Sequence, residues 1–219
     1  MTTTQSPLHV TVFGATGGIG RHVVDQLLAA GHTVTAYVRT PAKLDHTHPD
    51  LTVVQGELTD AAAVAKAVTG ADAVISALGP TLKRSATGTP VADGTRTIVT
   101  AMTDAGVRRY IGLATPAMAD PKDRPTLKGK ILRFMPRLAF PNALAEIDAM
   151  ADAIRSSDLD WTIARITSPN DQPPTGTVRA GFLGRDKVAS AMTRADIAAF
   201  LVTQLIDDTY HHAAPAISN

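Results

Sequence analysis

Seven residues constrain this chain more than any other stretch: Gly14-Ala15-Thr16-Gly17-Gly18-Ile19-Gly20. They stand directly after an apolar run, residues 8–13, that reads as a buried strand. They stand directly before residues 18–30, whose apolar spacing reads as a helix ended by Gly31. Glycines at 14, 17 and 20 answer three physical needs: a tight turn, a bare backbone where a pyrophosphate approaches, and close packing of helix on strand. Amides at the helix start, with the helix dipole, hold the phosphates. The alternative is a glycine-rich turn without a ligand, but strand, loop, helix and second strand follow in the order a dinucleotide site requires. Gly14, Thr16, Gly17, Gly18, Ile19 and Gly20 are therefore assigned to the cofactor.

The rest of the chain repeats the alternation. Strand-like runs at 33–38, 51–55, 73–76, 110–114 and 161–166 are apolar enough for burial on both faces, and helical stretches at 61–68, 91–105 and 142–155 separate them. The expected fold class is α/β, a single-domain Rossmann-type doubly wound parallel sheet in three layers, α/β/α. At 219 residues the chain is short for a second domain, so one NAD(P)-binding domain over 1–219 is expected, with substrate-binding elements in 79–90, 115–141 and 167–186. Past the sixth strand the pattern weakens. A turn-rich 168–176, a hairpin through Gly184 and a last helix from Thr193 to about Ile206 are expected, with His211-His212 in an unstructured polar tail. Segment 121–141 interrupts the alternation with Lys122, Arg124, Lys128, Lys130, Arg133 and Arg137 among apolar residues. It reads either as a solvated basic face or as a lid over substrate.

Several function classes fall away. Without cysteine there are no disulfides, thiol nucleophiles or Cys-ligated zinc, and redox chemistry has to come from a cofactor. Lys+Arg 21 against Asp+Glu 20 gives no support for a nucleic-acid partner. No stretch approaches the ~18 apolar residues of a membrane span, so a cytoplasmic protein without a membrane partner is expected. His46 and His48, two apart and lacking a third ligand, read as surface residues rather than a metal site. No histidine has a serine and acid arranged around a nucleophile elbow, which leaves hydrolysis unsupported.

Arg39 ends the second strand, where a dinucleotide domain usually carries an acid for the adenine-side ribose. A carboxylate repels a 2′-phosphate and a guanidinium pairs with it, so NADP(H) is the expected cofactor. Lys43 either assists or is solvated. Glu57 and Leu58, after the third strand, are expected to line the adenine, with Glu57 accepting from its amino group. Ala77, Leu78 and Gly79, after the fourth, let backbone approach the cofactor. Lys83 and Arg84 read either as attractors of an anionic substrate or as solvated loop charges.

Residues 13–20, Gly31-His32-Thr33-Val34-Thr35, Val38-Arg39 and Leu159-Asp160-Trp161-Thr162-Ile163 resemble the atypical short-chain dehydrogenase/reductase superfamily. Asn170-Asp171-Gln172-Pro173-Pro174-Thr175-Gly176 resembles the post-strand loop of its NADPH-dependent flavin reductase/biliverdin-IXβ reductase group. The resemblance implies a parallel sheet of about seven strands, NADPH across its C-terminal edge, and hydride delivery to a flat conjugated substrate. It places Thr115 beside the nicotinamide as the candidate catalytic hydroxyl, or as a strand cap, with Pro116 on the substrate side and Ile166, Thr167 or Ser168 near the carboxamide. The superfamily's Tyr-x-x-x-Lys pair is missing: Pro41, Ala114 and Ala214 stand four after Tyr37, Tyr110 and Tyr210. The flavin-reductase group also lacks the pair, because a flavin or bilin takes its proton from solvent. The expected function is an NADPH-dependent reductase of a flavin, quinone or other conjugated small molecule, as a monomer or small homo-oligomer. The alternatives are a non-catalytic NADP(H) sensor of the NmrA-like type and a tailoring reductase or isomerase of secondary metabolism.

Overall fold

The computed structural model describes residues 6–81, 88–127, 131, 134, 137–189 and 191–219. Strand β1 (His9–Phe13) is buried along nearly its whole length. Helix α1 (Gly18–Ala29) turns Gly20, Val23, Val24 and Leu27 to the core, the i, i+3, i+4, i+7 stripe of a half-buried helix. Gly31, at φ +81°, then takes the left-handed conformation that releases the chain from the helix. β2 (Thr33–Val38), β3 (Leu51–Gln55), α2 (Ala61–Val68), β4 (Ala73–Ser76) and α3 (Pro90–Ala105) follow. Next come β5 (Arg109–Ala114), α4 (Pro141–Arg155) and β6 (Asp160–Arg165). Through β6 each of these strands and helices lies within about one residue of its expected bounds.

The remaining elements are β7 (Ser168–Asn170), β8 (Arg179–Gly181), β9 (Ala191–Thr193), α5 (Arg194–Thr203) and β10 (Ala216–Ser218). The main sheet has eight strands in the order β3-β2-β1-β4-β5-β6-β10-β8. All neighbours pair in parallel except β8, which runs antiparallel to β10 at the edge. One hydrophobic cluster joins the sheet to α1 and α5, and a second joins the other face to α2, α3 and α4, which makes the three layers. The chain leaves β1 toward β2 and later returns to β4 on β1's other side. That reversal opens a crevice at the C-terminal ends of the two strands, the place where sheets of this type bind ligands.

Three expectations are corrected beyond β6. The hairpin through Gly184 does not form: β8 pairs with β10, while β7 pairs in parallel with β9 in a separate two-stranded sheet. These strands are three residues long, too short for period-two alternation to show, and their partners are distant in sequence. The tail is not unstructured. The His212 amide donates to the Trp161 carbonyl at 2.8 Å, the Arg165 amide donates to the Pro215 carbonyl at 2.8 Å, and residues 213–218 are buried beside β6. The apolar run Ala213-Ala214 and Ile217 outweighs the two histidines before it. The last helix ends at Thr203 rather than near Ile206. Among the described residues no helix is long and apolar enough to cross a membrane.

Candidate cofactor site

The glycine loop closes on itself and on its neighbour. Gly14 has φ +77°, and a Cβ there would lie 3.0 Å from the carbonyl carbon and oxygen of Ala77, so the loops after β1 and β4 touch at this point. The Gly17 amide donates to the Gly14 carbonyl at 2.9 Å. A Cβ on Gly20 would overlap that same carbonyl oxygen, which is the close helix-to-strand packing expected of the third glycine. Gly18 differs: its Cβ would fall 2.8 Å from Cδ and Nε of Arg194, so a side chain from α5, not open space, occupies that direction. Gly17 caps α1 without a side-chain bond, and no acid stands in the first turn. The amides there are left for a ligand or water.

Below the loop opens a cavity of about 520 Å³, within the range of cofactor and small-molecule sites. Gly14, Thr16, Gly17, Ala77, Leu78 and Gly79 line it from the loops after β1 and β4. Tyr37, Val38, Arg39, Glu57, Leu58 and Thr59 line it from the ends of β2 and β3, Thr81 and Gly88 from the loop between β4 and α3, and Pro90, Val91 and Glu146 from α3 and α4. The Tyr37 phenol donates to the Glu57 carbonyl at 2.7 Å, and Gly56 is bare because the phenol occupies the space of its Cβ. Burial, then the nearby Asp60 and Glu57 carboxylates, lift the Tyr37 phenol above its ordinary range, so it stays a neutral donor. Leu58 is seated against Gly94 of α3. Arg39 is exposed on the cavity wall, and among the described residues no carboxylate pairs with its guanidinium.

Glu146 was not anticipated from the sequence. It is 4% exposed, and its Oε1 accepts from the amides of Val91 at 2.5 Å and Ala92 at 3.3 Å, capping an α3 whose own Thr89 makes no capping bond. The one signal was a carboxylate standing beside Ile147 on the inward face of an amphipathic helix, because a buried acid requires partners.

Ile19, Gly18, Gly20, Thr115, Pro116, Ile166 and Thr167 do not line this cavity. Ile19 and Ile166 pack on the hydrophobic cluster beneath α1 and α5, and Pro116 is buried. The Thr115 hydroxyl is enclosed with no hydrogen-bond partner. An enclosed, unsatisfied hydroxyl costs about 1–3 kcal/mol, so Thr115→Val is expected to raise Tm by a few degrees in a thermal melt. A lower Tm would show that the hydroxyl has a partner. Lys83 and Arg84 lie outside the described residues, as do Lys128, Lys130 and Arg133. Arg137 pairs with Asp148 at 2.8 Å, while Leu127, Ile131, Phe134 and Leu138 are exposed.

On the far side of β5, a buried ion pair ties β6 to the loop that follows β5. Arg165 and Asp123 have side chains 0% and 4% exposed and meet through two 2.7 Å bonds. Arg165 also donates to the Met118 carbonyl at 3.0 Å. Asp123 accepts from the amides of Leu183 at 2.9 Å and Asp120 at 3.1 Å, and Asp120 in turn accepts from the Ala214 amide at 2.8 Å. Burial alone raises the Asp123 carboxyl, but Arg165 and the two amides outweigh it and hold the group below its ordinary range.

The sequence pattern of the NAD(P)H-binding family matches residues 14–208, from the first glycine of the loop to beyond α5. The chain belongs to that family. This NAD(P)H-binding protein is 28% identical over 217 residues to the (4-alkanoyl-5-oxo-2,5-dihydrofuran-3-yl)methyl phosphate reductase of Streptomyces griseus, covering 95% of this chain and 67% of that one. It is 34% identical over 116 residues to the 3-beta-hydroxysteroid dehydrogenase of Mycolicibacterium neoaurum, 48% of this chain, but the match spans only 31% of that protein's length. Among solved structures, ChuY, an anaerobillin reductase from Escherichia coli O157:H7, superimposes with a TM-score of 0.76 at 22% identity, covering 96% of both chains. At that identity the likeness establishes the fold.

Proposed function

We propose that this NAD(P)H-binding protein is an NADPH-dependent reductase of a conjugated small molecule: a flavin, a quinone, or an unsaturated carbonyl compound. The observation that carries the cofactor choice is Arg39, a guanidinium without a carboxylate partner among the described residues, on the wall of the cavity that begins at the glycine loop. The bare loop fits a dinucleotide, since a Cβ at Gly14 or Gly20 would strike backbone and the amides opening α1 have no side-chain cap. Bound there, the nicotinamide supplies a hydride. Arg39 holds the 2′-phosphate, Thr16 and Gly17 the pyrophosphate side, and Leu58, Leu78 and Val91 keep water from the cofactor's apolar surfaces. Glu57 and Leu58 face the adenine.

Conjugation of the substrate follows from the residues that are missing. No Tyr-x-x-x-Lys pair exists to protonate a simple ketone. In a conjugated acceptor the hydride goes to the electrophilic ring or alkene atom, the displaced electron pair settles on a carbonyl oxygen or ring nitrogen, and water supplies the proton. The relative from Streptomyces griseus supports this choice, because its named substrate is an unsaturated oxo-dihydrofuran.

The test is titration of purified protein with NADPH and NADH, then loss of absorbance near ~340 nm against flavin mononucleotide, biliverdin, quinones and a butenolide. NADPH-selective binding with turnover is expected. In Arg39→Ala the affinity for NADPH falls on the order of ten- to a hundredfold while that for NADH stays within about twofold. Tight binding with no oxidation by any acceptor would instead assign the chain to the non-catalytic sensors. Equal loss of both cofactors in Arg39→Ala would overturn the 2′-phosphate contact.

A further inference from the structure

We propose that Arg194 is a phosphate-pairing residue of the cofactor site, parked on Asp171 until the cofactor's pyrophosphate replaces that carboxylate. The inference rests on the dinucleotide reading above and adds to the glycine loop a cation from the other end of the chain.

The first observation is how Arg194 is held. It opens α5, directly after the N-cap Thr193, whose hydroxyl accepts from the Asp196 amide at 3.1 Å and donates to the Asp196 carboxylate at 2.8 Å. Gln26 of α1 donates to the Ala195 carbonyl at 2.9 Å, which sets α5 against α1 at this level. From there the Arg194 side chain runs along α1 to Gly18, where a Cβ would meet its Cδ and Nε at 2.8 Å. Glycine at 18 therefore makes room for Arg194.

The second observation is the poor match of the cation to its present surroundings. It lies against the first turn of α1, the positive end of that helix, where no acidic side chain stands. Its ion partner, Asp171 at 2.7 Å, is 82% exposed, whereas Arg194 itself is 26% exposed. Exposed pairs of this kind contribute little in water. A diphosphate at the loop brings negative charge to both the α1 amides and the guanidinium, and it pairs with a planar guanidinium through two oxygens.

The third observation is what the exchange would release. Asp171 opens the loop that runs to Gly176, and the far end of that loop is fixed, because the Asp196 carboxylate accepts from the amides of Thr175 at 2.8 Å and Gly176 at 3.1 Å. Among the described residues Arg194 is the one partner of the Asp171 side chain. Cofactor binding thus frees one end of a loop in 167–186 while α5 keeps the other.

The experiment measures calorimetric affinities of the whole protein for NADP⁺ and for adenosine 2′-monophosphate, which carries the Arg39-facing phosphate but no pyrophosphate. Arg194→Ala is expected to weaken NADP⁺ on the order of ten- to a hundredfold and to leave adenosine 2′-monophosphate within about twofold. Arg194→Lys recovers part of the loss, as a point charge without the planar fork. Asp171→Asn binds NADP⁺ at least as tightly as the wild type. Gly18→Ala weakens NADP⁺ in the wild-type background and has little further effect in Arg194→Ala, because its methyl acts by displacing the guanidinium. If Arg194→Ala proves unfolded by circular dichroism, Arg194→Gln takes its place. Unchanged NADP⁺ affinity in the folded variant, or equal weakening of both ligands, overturns the proposal and leaves the dinucleotide reading standing. A wild-type protein that binds neither ligand brings down the dinucleotide reading itself.

Discussion

Gly20→Ala is expected to abolish measurable NADPH binding and to lower stability by about 1–3 kcal/mol, the range for an overpacked interior site. The methyl would overlap the Gly14 carbonyl oxygen, with the Gly14 carbonyl carbon and the Ala15 Cα also within 3.0 Å, so everything it meets is backbone. No rotamer relieves such a contact. The start of α1 has to move away from the turn, and with it the amides of residues 17–20 and the Thr16 side of the cavity. Gly31→Ala is the control: it stands past the other end of α1 and has φ +81°, but open space surrounds its Cβ. It is expected to cost about 1–2 kcal/mol through backbone conformation alone and to leave NADPH affinity unchanged. A Gly20→Ala protein that binds NADPH normally would remove the loop from the site. Equal loss of affinity in both variants would trace the effect to stability.

The part of this molecule that sequence makes legible is the part governed by local rules. From β1 to β6 each strand carries its own apolar run and each helix its own stripe and stop. The glycines at 14, 17 and 20 lie within seven residues, so their joint meaning is readable without knowing what surrounds them. Arg39 is placed for the same reason, since its position directly after β2 puts it at the C-terminal edge of the sheet. What escapes are pairings between distant residues. Glu146 caps a helix that begins 56 residues earlier, Asp123 meets Arg165 across 42, and β10 enters the sheet between strands that precede it by tens of residues. Gly18 shows the limit most clearly. Its neighbours suggested a phosphate approach, and the actual occupant of its Cβ direction, Arg194, is 176 residues away. Composition carries no trace of that.

Asp123→Ala is expected to destabilise the protein by about 3–5 kcal/mol, because it leaves the Arg165 guanidinium buried without its counter-charge. In a chain of this size that corresponds to a fall in Tm of roughly 6–20 °C. Arg165 already has one unpartnered atom, Nε, so little remains in its surroundings to replace the carboxylate. The damage spreads to the amides of Asp120 and Leu183, and through Asp120 to the contact with the C-terminal strand, so the loops on both sides of the proposed substrate region loosen together. The pH dependence separates this account from a simple loss of packing. The native Asp123 carboxyl is held below its ordinary range, so its contribution is fully present above the unfolded value of about 3.9 and is lost as pH falls through the lower folded value. The gap in Tm between wild type and Asp123→Ala is therefore expected to be constant from neutral pH down to about pH 5 and to narrow below pH 4. A gap that stays constant through that acid range would mean that Asp123 acts by shape and not by charge. Asp123→Asn, which keeps the shape, should then melt with the wild type; on the electrostatic account it melts with Asp123→Ala.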